Sequence, residues 1–534
     1  MTPRDAYAKL VERFALLDSV EGAYAVLDWD RAAKMPEGGR EARARQMQAL
    51  QMLGLKMLGD PEVRQWLETA GKGAASLKPE EQANLREMKH QMIHKIGAGP
   101  DLLMQYVGTI SVLEGKWREA RSKNDFGIVA PHLQNLFDIG RKIGQAKGKI
   151  LGCSPYEAWL DFFTPGLRMS TVKPSFDALE QWLPGFIKRV QAKQGKEQVY
   201  QHRGPIAQKR QEKLGRDMLT MIGFDWKHGR LDTSLHPFQG GTPDDVRITT
   251  RYDEHNALTT MMHTIHEGGH ALYVQGLPKR WRATPLGNVR DPLINESQAM
   301  VIEMQAARRP EFWQGANAKI KQALGVKGRA WTPTNLQRLA TRVQPSLIRT
   351  DADPITYLAH VILRQKLEKQ MLEGSLKVAD LPAAWKKGMK DMLGVDVKDD
   401  NTGPLQDFHW YNGGIGYFPN YALGAIASAQ FFEAAVAADP KIKPAMSKGD
   451  FKPLLGWLRT NVHDKGSLME FNQLIQSATG KPLDVEVFKD SMEKLYIGTP
   501  PAPKKSKKPC PLRKRKHKHK PGLKADRARV LPKL

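Results

Sequence analysis

Met261-Met262-His263-Thr264-Ile265-His266-Glu267-Gly268-Gly269-His270-Ala271-Leu272-Tyr273-Val274 is the stretch on which the reading of this chain turns. Residues four apart on a helix lie one above the other, so His266 and His270 can aim two ring nitrogens at one ion. Glu267 is rotated about 100° from His266, toward the water such an ion would hold. This is the HExxH pattern of zinc hydrolases. Met261, Met262, Ile265, Leu272 and Tyr273 surround the motif with apolar side chains, which predicts a buried or cleft-lining helix and argues against a chance triplet on a solvated one. Gly268 and Gly269 each cost a helix about 1 kcal/mol against alanine. They are explained if this helix approaches another backbone closely or leaves room for a substrate. A catalytic zinc takes three protein ligands and keeps one position open, so a further ligand must come from elsewhere. Glu296, in Ile294-Asn295-Glu296-Ser297-Gln298, is the candidate.

Outward from this stretch the chain reads as dominantly helical. Thr2-Pro3-Arg4-Asp5 is a helix start with proline at the first position, and Tyr7, Leu10, Val11, Phe14 and Leu17 then recur at helical spacing. Asp60-Pro61-Glu62 repeats the signal. Segments 41–59, 80–96, 131–150, 173–194 and 333–344 are helical in composition. His90 and His94 are four apart as well, but no glutamate follows the first, and Lys89 and Lys95 beside them predict an exposed face with a structural or incidental pair. Only residues 245–253 alternate with period two, placing Val246, Ile248, Thr250 and Tyr252 on one side and Arg247, Thr249 and Arg251 on the other. That predicts an edge strand just before the HExxH helix, where an extended peptide could be held by main-chain hydrogen bonds. The expected fold is therefore mainly α, with a small edge sheet beside the HExxH helix. With no internal repeat and no Gly/Ser linker, one helical body to Gly498 is expected.

Composition bounds the function classes. At 534 residues, 41% hydrophobic and 8% aromatic, the chain is long enough for a large core. Cys153 and Cys510 lie too far apart in sequence to suggest a disulfide framework or a cysteine metal site. Arg4, Asp5, Lys9, Glu12 and Arg13 fall where a secretory leader needs an unbroken apolar run, so a cytoplasmic location is expected. The apolar stretch 421–438 is interrupted by Gln430 and Glu433, which predicts a core helix and no membrane span. Of the formal +25 charge, +13 falls in residues 499–534. That segment has almost no large apolar side chains, predicting a disordered basic tail able to hold polyanions non-specifically. Nothing in the body reads as a nucleic-acid-binding fold.

Further blocks accompany the HExxH motif: LeuAspTrpAsp at 27–30, MetProGluGlyGlyArgGluAlaArgAla at 35–44, HisProPhe at 236–238 and AspValArgIleThr at 245–249. IleArgThrAspAlaAsp follows at 348–353, GlyProLeuGlnAspPheHisTrp at 403–410 and GlyTyrPheProAsnTyrAlaLeuGly at 416–424. In kind and order these resemble the signature blocks of the HExxH carboxypeptidases typified by carboxypeptidase Taq. The resemblance implies an almost all-α body with a deep central groove, usually paired as a homodimer. It also implies removal of single residues from the C-terminus of peptides. By the same resemblance His266, His270 and Glu296 would bind one zinc ion per chain, and Glu267 would be the general base. Arg349 would hold the free C-terminal carboxylate, for which a planar guanidinium is suited; the alternative is an ordinary ion pair with Asp351 or Asp353. His409, Tyr417 and Tyr421 are candidates to stabilise an oxyanion opposite the metal. His236 and Arg247, with Asp245, would shape the groove or hold the ligands in place.

One departure stands out: the family usually has histidine before the third ligand, where this chain has Asn295. Asparagine can hydrogen-bond but cannot titrate. Two alternatives to the carboxypeptidase therefore stay open: an endo-acting zinc oligopeptidase, and a catalytically weakened peptide-binding protein.

Overall fold

The computed structural model describes residues 1–202 and 204–498; the basic tail of residues 499–534 lies outside the described residues. As expected, the architecture is mainly helical, and only three short strands interrupt it among the described residues. The first helix, Pro3–Ala33, opens on a reciprocal cap between Thr2 and Asp5. Asp60 caps Pro61–Lys72. The other expected segments appear as Arg40–Gly59, Pro79–Ile96, Ala130–Leu151, Met169–Gln194 and Pro333–Ala340. The last stops four residues short of the expected end, at a turn closed by the Thr341 amide on the Gln337 carbonyl.

Strand β1 is Gly229–Thr233, β2 Gln239–Thr242 and β3 Asp245–Thr250, in the spatial order β1-β3-β2. β3 runs parallel to β1 and antiparallel to β2. This corrects the expectation of an edge strand at 245–253. β3 is central and three residues shorter, because both its sides are already paired and alternation alone does not say how many neighbours a strand has. β2 lies at one edge of the sheet, and Leu235 to Gln239 leading into it line the central cavity. The first helix docks on this sheet through Trp29, whose ring lies under the guanidinium groups of Arg230 at 5.0 Å and Arg247 at 4.4 Å.

Two apolar cores result. The larger gathers side chains from Ala98 to Tyr496, and a smaller one joins the N-terminal helices through Ala6, Leu10, Phe14, Leu58, Val63 and Met88. At the centre of the larger lies Pro419–Ala438, long and apolar enough to cross a membrane by composition but mostly buried here against other helices. Buried ion pairs tie the N-terminal helices to the body: Arg290 places Nη1 and Nη2 on the two oxygens of Glu87, at 2.9 and 3.0 Å.

His90 and His94 belong to the same seam, which corrects the exposed face expected for them. His94 is buried, and both Nε2 atoms reach Asp161 Oδ2, at 3.2 Å from His90 and 2.9 Å from His94. The flanking lysines misled because on a helix they lie on a different side from the histidines. Asp161 also accepts from Arg168 at 2.7 Å and from the Gly166 amide at 3.0 Å, and this set of donors holds its carboxyl far below the usual range.

Candidate active site and metal centre

The HExxH stretch lies within helix Ala257–Gln275, which is buried over most of its length. Across from it runs Pro292–Met300, capped by Asp291 through the Ile294 amide at 2.8 Å. Glycine sets the spacing between the two. A Cβ on Gly269 would sit 2.6 Å from Ala299 Cα, closer than real contacts allow, so the helices could not approach as they do with any other residue there. The second helix is pinched from behind as well, since a Cβ on Gly424 would lie 3.1 Å from Glu296 Cβ. Gly268 has a softer reason: its missing Cβ would meet the side-chain ends of Leu219 and Ile222.

This close approach brings the ligand set together. His266 Nε2 lies 3.6 Å from Glu296 Oε1 and His270 Nε2 3.7 Å from Glu296 Oε2. One donor atom from each of His266, His270 and Glu296 falls within 4.8 Å of the others. Burial keeps both imidazoles neutral, lowering His266 to about 4 with a further push from His263 and Arg308, and His270 to about 3 with a further push from His266. Neutral imidazole is the form that binds a metal. Burial likewise raises Glu296 to about 8, helped by Glu303, and raises Glu267 to about 8, helped by Glu296. Two dry carboxyls beside two neutral imidazoles suit a divalent cation, which would remove the cost of charging them.

Asn295 acts on this set directly. Its Oδ1 accepts from His270 Nδ1 at 3.1 Å, which leaves Nε2 as the lone-pair nitrogen on the side of Glu296. An amide performs this without titrating, so the departure from the family pattern preserves ring orientation. Glu267 receives a hydrogen bond from the Gln239 backbone N–H, linking it to β2. Immediately after Met300 the chain loosens into a π-helical turn, Val301–Ala306. Such turns are found often at functional sites; here the turn directs Glu303 and Met304 into the cavity.

A cavity of about 920 Å³ surrounds these groups, lined among others by His236, Gln239, His263, Arg349, Tyr357, Tyr417 and Tyr421. Arg349 is buried, and its partner is neither Asp351 nor Asp353. Its Nε and Nη2 both bind Asp407 Oδ1, at 2.9 and 2.7 Å, while Nη1 donates to the Tyr357 hydroxyl at 2.9 Å. Arg364 holds the other oxygen of Asp407. Two guanidiniums thus share one carboxylate and leave a net positive charge behind the cavity wall. Asp353 instead caps the next helix through the Ile355 and Thr356 amides.

Tyr417 and Tyr421 face the cavity, whereas His409 stands behind them with Nε2 3.2 Å from the Tyr421 hydroxyl. Burial first, then Arg349, lowers His409 to about 4, so it is a neutral support for the tyrosine. Arg247 is not among the cavity-lining residues; it clamps Asp245 and stacks on Trp29. Tyr357, Asp407, Gln239 and Gly424 were not singled out from sequence. Asp407 and Gly424 sit inside quoted blocks, but nothing in their spacing says which side chain they meet.

Two outcomes follow. Gly269→Ala is expected to weaken metal binding by about 10-fold or more and to cost about 1–3 kcal/mol in stability, because the helix carrying Glu296 must move. Gly268→Ala should do less, having only movable side chains to displace; competition against a chelator and urea unfolding compare them, and equal effects would refute the spacing argument. The second concerns pH in the ion-free protein. The imidazoles, depressed from 6.5, contribute stability that is present above 6.5 and lost as pH falls, while the carboxyls, raised from 4.5 to about 8, contribute stability that is lost as pH rises from 4.5. Between about 6.5 and 8 only the carboxyl effect changes, so chelator-stripped protein should melt lower at pH 8 than at 6.5, and added divalent ion should reverse the loss.

A family model described as carboxypeptidase Taq (M32) metallopeptidase matches residues 9–496. Thermostable carboxypeptidase 1 of Thermus thermophilus is 33% identical over 511 residues, covering 93% of this chain and 99% of that protein. Among solved structures, metallocarboxypeptidase 1 of Trypanosoma cruzi superposes with a TM-score of 0.90 at 32% identity, covering 92% of this chain and 99% of that one. The M32 carboxypeptidase of Deinococcus radiodurans gives 0.87 at 32% identity, with coverage of 92% and 100%.

Proposed function

This chain belongs to the carboxypeptidase Taq (M32) metallopeptidase family and is a metallocarboxypeptidase; on that premise we propose that it works with one zinc ion, held by His266, His270 and Glu296. The observation that carries the proposal is the convergence of those three side chains with Glu267 in one cavity that also exposes Arg349. A bound divalent ion supplies Lewis acidity, drawing the pKa of a water toward neutrality and polarising a carbonyl. Glu267 is the base that takes the water's proton and returns it to the leaving amine. Its anchor on the Gln239 amide holds the carboxylate in place for both transfers. Tyr417 and Tyr421, neutral because burial pushes both hydroxyls upward, are the donors for the oxygen that becomes negative. His409 positions Tyr421 for that role.

Substrates are peptides with a free C-terminal carboxylate, met by the positive charge of Arg349 and Arg364 around Asp407. His236, exposed at the cavity mouth, is placed to touch the peptide. We infer further that residues 1–498 act as one body, that two chains pair as a homodimer, that the protein is cytoplasmic, and that residues 499–534 add non-specific affinity for polyanions. Two cysteines far apart in sequence suit a reducing compartment, and the +13 charge of residues 499–534 suits the affinity for polyanions. A time course on one peptide and its C-terminally amidated twin, read by mass, tests the main reading. Stepwise loss of C-terminal residues from the free peptide alone is expected, together with about one zinc per chain that His270→Ala abolishes. Internal cleavage of the amidated twin at ordinary rates would favour the oligopeptidase instead.

A further inference from the structure

We propose that Glu368 is a positioning residue for this reaction: from helix Thr356–Glu373 it fixes the loop that presents Tyr417 to the cavity, through its bond to the Gly416 amide. The proposal rests on the reading of Tyr417 as a donor to the oxyanion and names what holds that donor in place.

The backbone shows why a hold is needed. Between helices Leu381–Leu393 and Pro419–Ala438 the chain forms no α-helix or strand, only a tight 3-10 turn at Trp410–Asn412. Such a segment has no hydrogen-bond ladder of its own, so its shape is set by what it binds. His409 and Tyr417 both lie on it. Helix Thr356–Glu373 grips the segment through Arg364 and Glu368, which are four residues apart and share a face. Arg364 takes Asp407 Oδ2 and donates from Nη2 to Gln406 Oε1 at 2.8 Å. Glu368 takes the far end. Its Oε1 accepts from the Gly416 N–H at 2.8 Å, and its Oε2 accepts from Trp410 Nε1 at 2.7 Å. One carboxylate thus ties the residue after His409 to the residue before Tyr417. Gly416, at φ +86°, also lies so near Trp159 that a Cβ would stand 2.8 Å from that residue's carbonyl carbon and oxygen. With this close approach and the bond to Glu368, Gly416 has little room to shift, and Tyr417 follows one peptide later.

Glu368 is a costly residue for filling space. It is fully buried, and its third donor is the Tyr156 hydroxyl at 2.9 Å, so all three donors are uncharged. Burial pushes its carboxyl up to about 7 against the pull of these bonds. An acceptor-only group with two oxygens is nonetheless what three converging donors need, since an amide would turn N–H groups toward one of them.

A double-mutant cycle of Glu368→Gln with Tyr417→Phe, read as kcat, KM and metal content, tests this. Tyr417→Phe should lose about 10²-fold or more in kcat. Glu368→Gln should lose about 10-fold in kcat with KM and metal content unchanged, because a displaced donor weakens the transition state and leaves the binding contacts in place. The double variant should match Tyr417→Phe to within about 2-fold, because the donor that Glu368 positions is already gone. A smaller active fraction or a general loosening would instead lower kcat by the same factor on both backgrounds. If Glu368→Gln does not fold, Trp410→Phe, which removes the donor on Oε2, takes its place in the cycle with the same overlap expected. A folded Glu368→Gln with wild-type kcat, or equal losses on both backgrounds, overturns the proposal and leaves Tyr417 its role. A Tyr417→Phe variant with full activity overturns the donor reading and this proposal together.

Discussion

Glu267→Gln should retain its metal and lose about 10² to 10⁴ in kcat, the usual worth of a positioned general base. The amide is nearly the same size and keeps an oxygen for the Gln239 N–H, so the cavity and the three ligands beside it are undisturbed. What it cannot do is accept a proton. Because the loss falls on the chemical step, kcat and kcat/KM should drop together, with KM little changed. Metal analysis of the same sample separates this from site damage. A variant with full metal and near-normal turnover would remove Glu267 from the mechanism.

Arg349→Ala should lose about 2 to 5 kcal/mol of kcat/KM toward peptides with a free C-terminus, the range seen when one partner of a buried charge pair is removed. Its guanidinium is already bound to Asp407 and to the Tyr357 hydroxyl, so truncation also leaves Asp407 with Arg364 alone. Thermal unfolding should therefore fall alongside activity, and Arg349→Lys is the needed companion. Lysine keeps the charge but cannot span Asp407 and Tyr357 with one planar group, so it should raise KM and lower kcat while costing less stability. The substrate comparison is decisive. Amidating the peptide should cripple wild type yet change little in Arg349→Ala, whose contact is already gone. If the alanine variant still discriminates strongly against the amide, the carboxylate is held elsewhere in the cavity.

The helical nature of the chain and its central motif were legible because they depend on local rules. Thr2 and Asp60 cap helices by hydrogen bonds within three residues, and the HExxH spacing works through one turn. The glycines of the motif were also legible in part: their cost implied a close neighbour, and Gly269 has one in Ala299. Sequence pattern erred where the answer depended on what lies across a gap. Residues 245–253 alternate as a strand should, but β1 and β2 on either side made it central. His90 and His94 looked exposed because Asp161, more than sixty residues away, left no trace in their neighbourhood.

By itself, then, the sequence determined that the protein is mainly helical, that one helix presents two imidazoles and a carboxylate at metal-binding spacing, and which family blocks accompany them. Those properties follow from periodicity and covalent order. Only the tertiary structure decided that Asp407 is the partner of Arg349, that His409 stands behind Tyr421 and Arg247 over the Trp29 ring, and that Gly269 and Gly424 set the position of Glu296. Each of these is a contact between distant segments, made by close packing and by buried charges finding counter-charges. Periodicity shows which face of a helix is buried but not what it will touch.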